Sequence, residues 1–275
     1  MIKGSTNVGL FKTGENTVAI IDTGSEGNGE EIDKLLEEKG WTPEYIINTH
    51  THIDHLGGNK YLMEKYNIPA YCGETEIAFV HYSELEAVCM NGGYPGNKLK
   101  KIFAHPGKIG FRPIEEAQLA GIEWTAIPGH SPAMIGVKTE DGVWFLGDAY
   151  LSRGFLSKHK FGFVYRIDDF MDSLEKIASL EGGLFVPAHG RIEEDVTETI
   201  QANIDNMNDL AEMIRDICTE FTGLDYIIKG MYERLELKPG TVQQVMLSST
   251  TKAFLSYLQD RDKLECKFIN NIMMW

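Results

Sequence analysis

Short apolar runs and one helical repeat alternate along the first quarter of the chain. Ile32, Leu35 and Leu36 recur at helical spacing, and Gly40 follows them where a helix would end. The predicted elements of this part are strands at 7–12, 17–22, 45–48 and 69–72 and helices at 29–39 and 59–66. This order of strands and helices favours a layered α/β domain.

The regular alternation is lost between residues 73 and 121. Helical spacing returns at 77–88, and the glycine-rich stretch 91–97 predicts a loop. We interpret 73–121 as an insertion near a functional site, because it carries several aromatic residues. Surface decoration is an equally good interpretation.

Strand signals resume in the middle of the chain, and a segment of unusual charge follows them. The predicted strands are 122–127, 134–138, 143–146 and 184–186, with a helix at 168–180. Segment 151–166 contains several aromatic residues and no acidic residue. Its four cationic residues are Arg153, Lys158, Lys160 and Arg166. In so acidic a chain this predicts a lid that could attract an anionic group of a substrate. The alternative is a loop whose lysines cover apolar surface.

Residues 191–275 follow a mainly helical pattern. Helices are predicted at 196–217 and 224–235, one or two more at 242–258, and a strand at 264–268. This order predicts a winged-helix-like appendage to a main domain of residues 1–190. From Ile192 onward there are 15 acidic and 8 basic residues, which argues against DNA binding. We expect the appendage to pack on the main domain, to close a pocket or to form a homodimer.

Composition narrows the functional classes. The net charge of −15 argues against binding of nucleic acid, and no apolar run reaches membrane-spanning length. Residues 1–5 lack the apolar core of a signal peptide. The four cysteines show no CxxC spacing, so we expect reduced thiols and a cytoplasmic location.

Four side chains that can bind a metal lie within six residues, directly after the strand at 45–48. They are His50, His52, Asp54 and His55, and two glycines follow. Imidazole and carboxylate together suit zinc, iron or manganese better than calcium. Because four ligands do not complete two metal sites, the hypothesis requires further ligands downstream.

Three candidates follow later apolar runs: His130, Asp148 and His189. Each lies where an α/β sheet gathers side chains at one edge. The remaining histidines, His81, His105 and His159, lack such a setting and are expected to be surface or core residues.

The HxHxDH loop with these three later residues resembles the metallo-β-lactamase-fold hydrolases, over about residues 7–190. The resemblance implies an α+β fold, a four-layer αββα sandwich with metals at the sheet edges. It also implies two ligand groups with Asp148 as a bridge: His50, His52 and His130 for the first metal, and Asp54, His55 and His189 for the second. Asp22 matches a position that supports a ligand from outside the metal's own shell.

The implied chemistry is hydrolysis. Two Zn²⁺ per chain, or Fe or Mn, about 3.5–4 Å apart would lower the pKa of a shared water toward about 7. The resulting metal-bound hydroxide would attack a carbonyl, with Asp54 or Asp148 passing the proton on. No Gly-x-Ser-x-Gly elbow is present, so a serine nucleophile is not indicated.

At several positions this chain differs from particular branches of the metallo-β-lactamase-fold family, and these differences narrow the expected substrate class. The best-known zinc β-lactamases carry cysteine at the position of Asp148, and flavodiiron proteins carry an acidic residue at that of His52. The RNA-processing branch is expected to have a basic surface, which this acidic chain lacks. What remains resembles the glyoxalase II-like group, which cleaves thioesters, esters or lactones. The helical tail does not resemble a glutathione-binding domain, which leaves the small-molecule substrate open.

Two other classes remain. A persulfide dioxygenase has a similar motif and binds one iron. A non-catalytic binding module would keep the fold without the reaction. Metal analysis distinguishes both from a two-metal hydrolase.

Overall fold

The computed structural model describes residues 6–103 and 110–275, so His105 lies outside the described residues. The strands are β1 Gly9–Lys12, β2 Thr17–Ile21, β3 Thr42–Ile47, β4 Ala70–Cys72, β5 Phe111–Pro113, β6 Ile122–Ala126, β7 Ile135–Thr139, β8 Val143–Phe145, β9 Leu184–Val186, β10 Lys267–Ile269 and β11 Ile272–Met274. The helices are α1 Asn28–Lys39, α2 Ile53–Leu56, α3 Asn59–Tyr66, α4 Glu74–His81, α5 Leu85–Asn91, α6 Asn97–Phe103, α7 Arg153–His159, α8 Ile167–Ala178, α9 Thr197–Ile217, α10 Leu224–Arg234 and α11 Thr241–Asp260. A 3₁₀ turn spans Ile114–Glu116.

Two sheets form the centre of the molecule. The first has the order β1-β2-β3-β4-β5, in which only β1 is antiparallel to its neighbour. The second has the order β6-β7-β8-β9. In the second sheet β6 and β8 both run opposite to β7, and β9 is parallel to β8. Strands β6, β8 and β9 therefore end at the same edge.

Alternation along β2 shows why the sheets are layered. Val18 and Ile20 pack in one cluster with residues of α1, whereas Ala19 and Ile21 pack in another with residues of β7. Successive side chains of a strand point to opposite faces, so β2 contributes to a core on each side. The second sheet buries its other face against α8. The predicted four-layer αββα sandwich is confirmed.

The C-terminal helices share the outer core of the second sheet. Leu174 of α8, Met207 of α9 and Phe254 of α11 belong to one buried cluster. Three helices and the hairpin β10–β11 thus form the helical appendage, with one helix at 242–258 rather than two. The domain boundary at residue 190 stays a prediction. Among the described residues, no helix is long and apolar enough to cross a membrane.

Segment 73–121 contributes α4, α5, α6 and the 3₁₀ turn, and it adds β5 to the first sheet. The helical repeat at 77–88 is divided into α4 and α5, because the chain leaves helical geometry at Tyr82. Met90, Leu99 and Phe103 pack against Val245 of α11. This contact joins the insertion to the appendage above the sheet edges.

Candidate metal centre

The ligand loop begins where β3 ends at Ile47 and continues into the short helix α2. The side chain of Asn48 donates to the carbonyl oxygen of His55 at 2.8 Å, which closes the loop. The backbone N–H of Ile135 in the second sheet donates to Thr49 O at 2.9 Å. Two sheets therefore hold this loop at their common edge.

Three histidine nitrogens converge on the first point of the site. Nδ1 of His52 lies 3.0 Å from Nε2 of His50 and 2.9 Å from Nε2 of His130. The other ring nitrogen of His130 faces the carbonyl oxygen of Phe163 at 3.0 Å, which favours a proton there and leaves Nε2 as the lone-pair nitrogen. Burial lowers the pKa of His50 and brings that of His52 to about 3, so both rings are neutral and can donate lone pairs.

A second group forms beside the first. Nε2 of His189 lies 3.2 Å from Oδ2 of Asp54, and Nε2 of His55 lies 4.0 Å from Oδ1 of Asp54. The carboxylate of Asp148 lies between the two groups. Its Oδ2 is 3.3 Å from Nε2 of His130 and 3.8 Å from Nε2 of His55, and its Oδ1 is 3.5 Å from Nε2 of His189.

These distances fit metal ions. A tetrahedral ion bound at 2.0–2.1 Å separates its ligand atoms by about 3.3–3.4 Å, close to the observed spacings. Nε2 of His55 is buried without a hydrogen-bond partner, although buried polar atoms are normally satisfied. Burial by itself lowers the pKa of His55, but Asp22 and Asp148 outweigh it and raise the pKa well above its usual value. The two carboxylates therefore favour positive charge at the position of His55.

Asp22 supports the loop from outside the two groups. Its Oδ1 accepts the backbone N–H of Thr49 at 2.8 Å, and its Oδ2 accepts the hydroxyl of Thr49 at 2.8 Å. Oδ2 also lies 3.1 Å from Nδ1 of His55, which turns Nε2 toward the site. The structure thus brings all seven predicted ligands together and places Asp22 directly behind His55.

Glu76 is a further site residue, which the sequence pattern did not reveal. Its buried carboxylate accepts the hydroxyl of Thr51 at 2.8 Å and the backbone N–H of Thr51 at 3.2 Å. It also accepts the hydroxyl of Ser131 at 2.7 Å and the backbone N–H of Ala133 at 2.9 Å. One side chain of the insertion therefore holds both loops that carry the first ligand group, His50 and His52 on one loop and His130 on the other.

Two cavities meet at this site. The first has a volume of about 360 Å³, and residues of 73–121, segment 151–166 and α11 line it together with five of the seven ligand candidates: His52, Asp54, His130, Asp148 and His189. The second has a volume of about 220 Å³ and reaches from His52 and His130 to Lys252 on α11. Glu86 lines both cavities, with Oε1 3.8 Å from Nε2 of His52.

Segment 151–166 forms part of the first cavity's wall through the loop before α7, through α7 itself and through the residues after it. Its four cationic side chains, Arg153, Lys158, Lys160 and Arg166, are exposed and none lines either cavity. His159 lines the first cavity and stacks on Phe155, with ring centroids 4.7 Å apart. The predicted attraction of an anionic group to this segment stays a prediction.

The model of the metallo-beta-lactamase superfamily matches residues 1–189. The chain belongs to this superfamily. A beta-lactamase domain protein from Burkholderia ambifaria has the same fold, with a TM-score of 0.77 and 19% identity over 98% of this chain and 86% of that one. That likeness concerns the fold alone.

Two curated proteins are similar to this chain in sequence. The probable metallo-hydrolase YqgX of Bacillus subtilis is 27% identical over 52% of this chain and 65% of its own length. A hydroxyacylglutathione hydrolase of Pelagibacter ubique is 39% identical over 22% of this chain and 26% of its own length. The chain spans between 55% and 66% of the first curated relatives that it matches. The predicted likeness to the glyoxalase II branch is thus confirmed over part of the chain.

Proposed function

We propose that this protein is a two-metal hydrolase that cleaves the carbonyl–oxygen or carbonyl–sulfur bond of a small ester, thioester or lactone. The observation that carries the proposal is the position of Asp148. Its Oδ2 lies 3.3 Å from Nε2 of His130 in the first group, while its Oδ2 and Oδ1 lie 3.8 and 3.5 Å from Nε2 of His55 and His189 in the second. A carboxylate that lies between two ligand groups in this way would contribute a ligand to two ions rather than to one.

His50, His52 and His130 would hold one ion, Asp54, His55 and His189 the other, and Asp148 both. Zinc suits this set of imidazole and carboxylate ligands, and iron or manganese are the alternatives. Two divalent ions, when bound, lower the pKa of a water and polarise a carbonyl oxygen. The names of the two curated relatives, a metallo-hydrolase and a hydroxyacylglutathione hydrolase, support hydrolysis.

Asp54 is the side chain placed to handle the proton. It lines the first cavity, and its side chain is 37% exposed. Burial raises its pKa, but the hydrogen bond from His189 and the charge of His55 outweigh burial and bring the pKa to about 2. The ionised carboxylate can orient the attacking water and pass its proton to the leaving group. The water oxygen bonds to the acyl carbon, the bond to the leaving oxygen or sulfur breaks, and an acid and an alcohol or thiol result.

The experiment is a substrate screen with metal-loaded protein. Zinc-, iron- and manganese-loaded samples are assayed against esters, thioesters and lactones, beside His50→Ala and Asp148→Ala variants. We expect turnover by at least one loaded sample and a loss of more than about 100-fold in both variants. Equal turnover by wild type and variants, or none by any loaded sample, would contradict the proposal.

The charge pattern supports a small molecule rather than nucleic acid as the substrate, because the net charge is −15. A homodimer remains a proposal that sedimentation analysis tests.

A further inference from the structure

The wall of the first cavity is apolar beyond the metal-binding side chains. Three parts of the chain contribute to it: the insertion 73–121, segment 151–166 and the start of α11. The apolar residues that face it include Met90, Ile102, Phe103, Phe155, Phe161 and Met246. A concave, mainly apolar pocket of this size, with a few polar groups at one end, is typical of a site for a small molecule.

Charge is confined to the metal-binding end. No lysine or arginine lines this cavity among residues 6–103 and 110–275. Two of the four cations of segment 151–166 pair with acidic residues outside the cavity, since Arg153 binds Glu198 at 2.6 Å and Arg166 faces Asp169 at 3.5 Å. An anionic substrate group would lose its hydration here without a lysine or arginine of the described residues to pair with, which is costly.

The wall of the second cavity is also largely apolar, with Phe79 and Phe163 in it, but it adds a cation and hydroxyl groups from α11. Lys252, Ser249 and Ser256 of α11 line it, and the cavity shares His52 and His130 with the first. A substrate whose carbonyl lies at the metal centre can therefore extend an apolar part into one cavity and a polar part into the other.

We propose that the substrate carries an uncharged, apolar acyl group, which the first cavity holds, while its polar leaving group points to the second cavity. The inference rests on the proposed hydrolysis and names its substrate class. It assigns a purpose to the contact between α5, α6 and α11, which places Phe103 and Met246 in the cavity wall.

The first test is a series of thioesters with one leaving group and saturated acyl chains of increasing length from acetyl. Each buried methylene contributes about two- to four-fold, so kcat/KM rises with chain length until the cavity is full. A matched series varies the leaving group on a fixed acyl group, and we expect little gain from apolar additions there. A flat acyl series, or a gain confined to the leaving-group series, would overturn the proposal.

The second test changes the wall. The measured quantity is the kcat/KM for an octanoyl thioester divided by that for an acetyl thioester. We expect this ratio to fall at least ten-fold in Met246→Asp and to stay near the wild-type value in Met246→Leu. Met273→Asp on the exposed hairpin is the matched control, with an unchanged ratio. Circular dichroism and thermal unfolding show that each variant is folded. An unchanged ratio in folded Met246→Asp would contradict the assignment of the cavity.

A binding measurement separates this inference from the proposed reaction. Calorimetry with octanoate and with acetate uses the zinc-loaded wild type and Met246→Asp. If no ester is turned over, the hydrolase proposal fails, and tighter binding of octanoate by wild type alone still supports the apolar cavity. If esters are hydrolysed while octanoate binds no better than acetate, the hydrolase stands and the inference fails.

Discussion

Oδ2 of Asp22 lies 3.1 Å from Nδ1 of His55, across 33 residues of sequence. The same carboxylate accepts the backbone N–H of Thr49 at 2.8 Å, so one side chain fixes both ends of the ligand loop. The backbone of Asp22 has φ 54°, in the left-handed region that aspartate and asparagine tolerate better than most residues. The conformation turns the chain from the end of β2 toward the loop.

Asp22→Asn removes the charge while preserving the shape and the backbone preference. We expect the affinity of the second metal position to fall about 10- to 100-fold, because His55 loses the partner that orients its ring. A competition titration of zinc against a chromophoric chelator measures this. Asp262→Asn is the control, since Asp262 is exposed and has φ 53°. Equal zinc affinity in wild type and Asp22→Asn would show that Asp22 does not orient the ligand.

Glu76→Gln tests the contact between the insertion and the two histidine loops. An amide keeps one acceptor oxygen, so at least one of the four donors on Thr51, Ser131 and Ala133 loses its partner. We expect a loss of about 1–3 kcal/mol in the free energy of unfolding and weaker zinc binding. Chemical denaturation and the chelator titration measure both. Glu74→Gln, two residues earlier and exposed, leaves both nearly unchanged.

Gly57 is required by close packing rather than by its φ of −59°. A Cβ atom there would lie 2.2 Å from the backbone carbon of Ser25 and 2.4 Å from the nitrogen of Glu26. Gly57→Ala therefore pushes the end of the ligand loop away from the turn after β2. We expect a loss of about 1–3 kcal/mol in stability and a lower zinc content after purification. Gly96→Ala, whose Cβ would meet nothing within 4 Å, is the comparison, and equal stability of the two would contradict the packing argument.

Asp33 gives the fold a pH dependence that is independent of the metal site. Its buried carboxylate accepts hydrogen bonds from Tyr61 at 2.8 Å and from Lys65 and Tyr66 at 2.5 Å. Burial raises its pKa, but these hydrogen bonds outweigh burial and lower it. A carboxyl with a lowered folded-state pKa stabilises the fold above its unfolded-state value of about 3.9, and that stability is lost as pH falls through the folded-state pKa.

Asp33→Asn should therefore cost about 1–3 kcal/mol at neutral pH, and the difference from wild type should shrink below about pH 4. Urea denaturation of both proteins between pH 7 and 3 measures it. Glu37→Gln removes an exposed partner of the same Lys65, and we expect a much smaller effect. A constant difference across this pH range would rule out ionisation of Asp33 as the cause.

The ligand positions were predictable because each follows a strand. His50 follows β3, His130 follows β6 and the buried Ile127, Asp148 follows β8, and His189 follows β9. Apolar runs locate strand ends, and parallel directions bring those ends to one edge, so local patterns indicated the candidate ligands and a layered α/β domain. The four-layer sandwich and the division into two ligand groups were implied only by the resemblance to the superfamily.

The remaining features of the site depend on contacts between residues far apart in sequence, which local patterns do not reveal. Glu76 is one of 41 acidic residues, and nothing in its neighbourhood marks it as buried beneath two distant loops. The apolar cavity needs Phe103 and Met246 together, which are far apart in sequence. Net charge identified segment 151–166, but only the fold shows that Arg153 and Arg166 face away from the cavity.

The most direct test of the central claim is a titration of metal-free protein with zinc, followed by turnover of a thioester substrate and by metal analysis. We predict that turnover rises to a plateau at two zinc ions per chain, and that Asp148→Ala abolishes the plateau. A plateau at one iron per chain with oxygen uptake on a persulfide, or bound metal without any hydrolysis, would contradict the two-metal hydrolase.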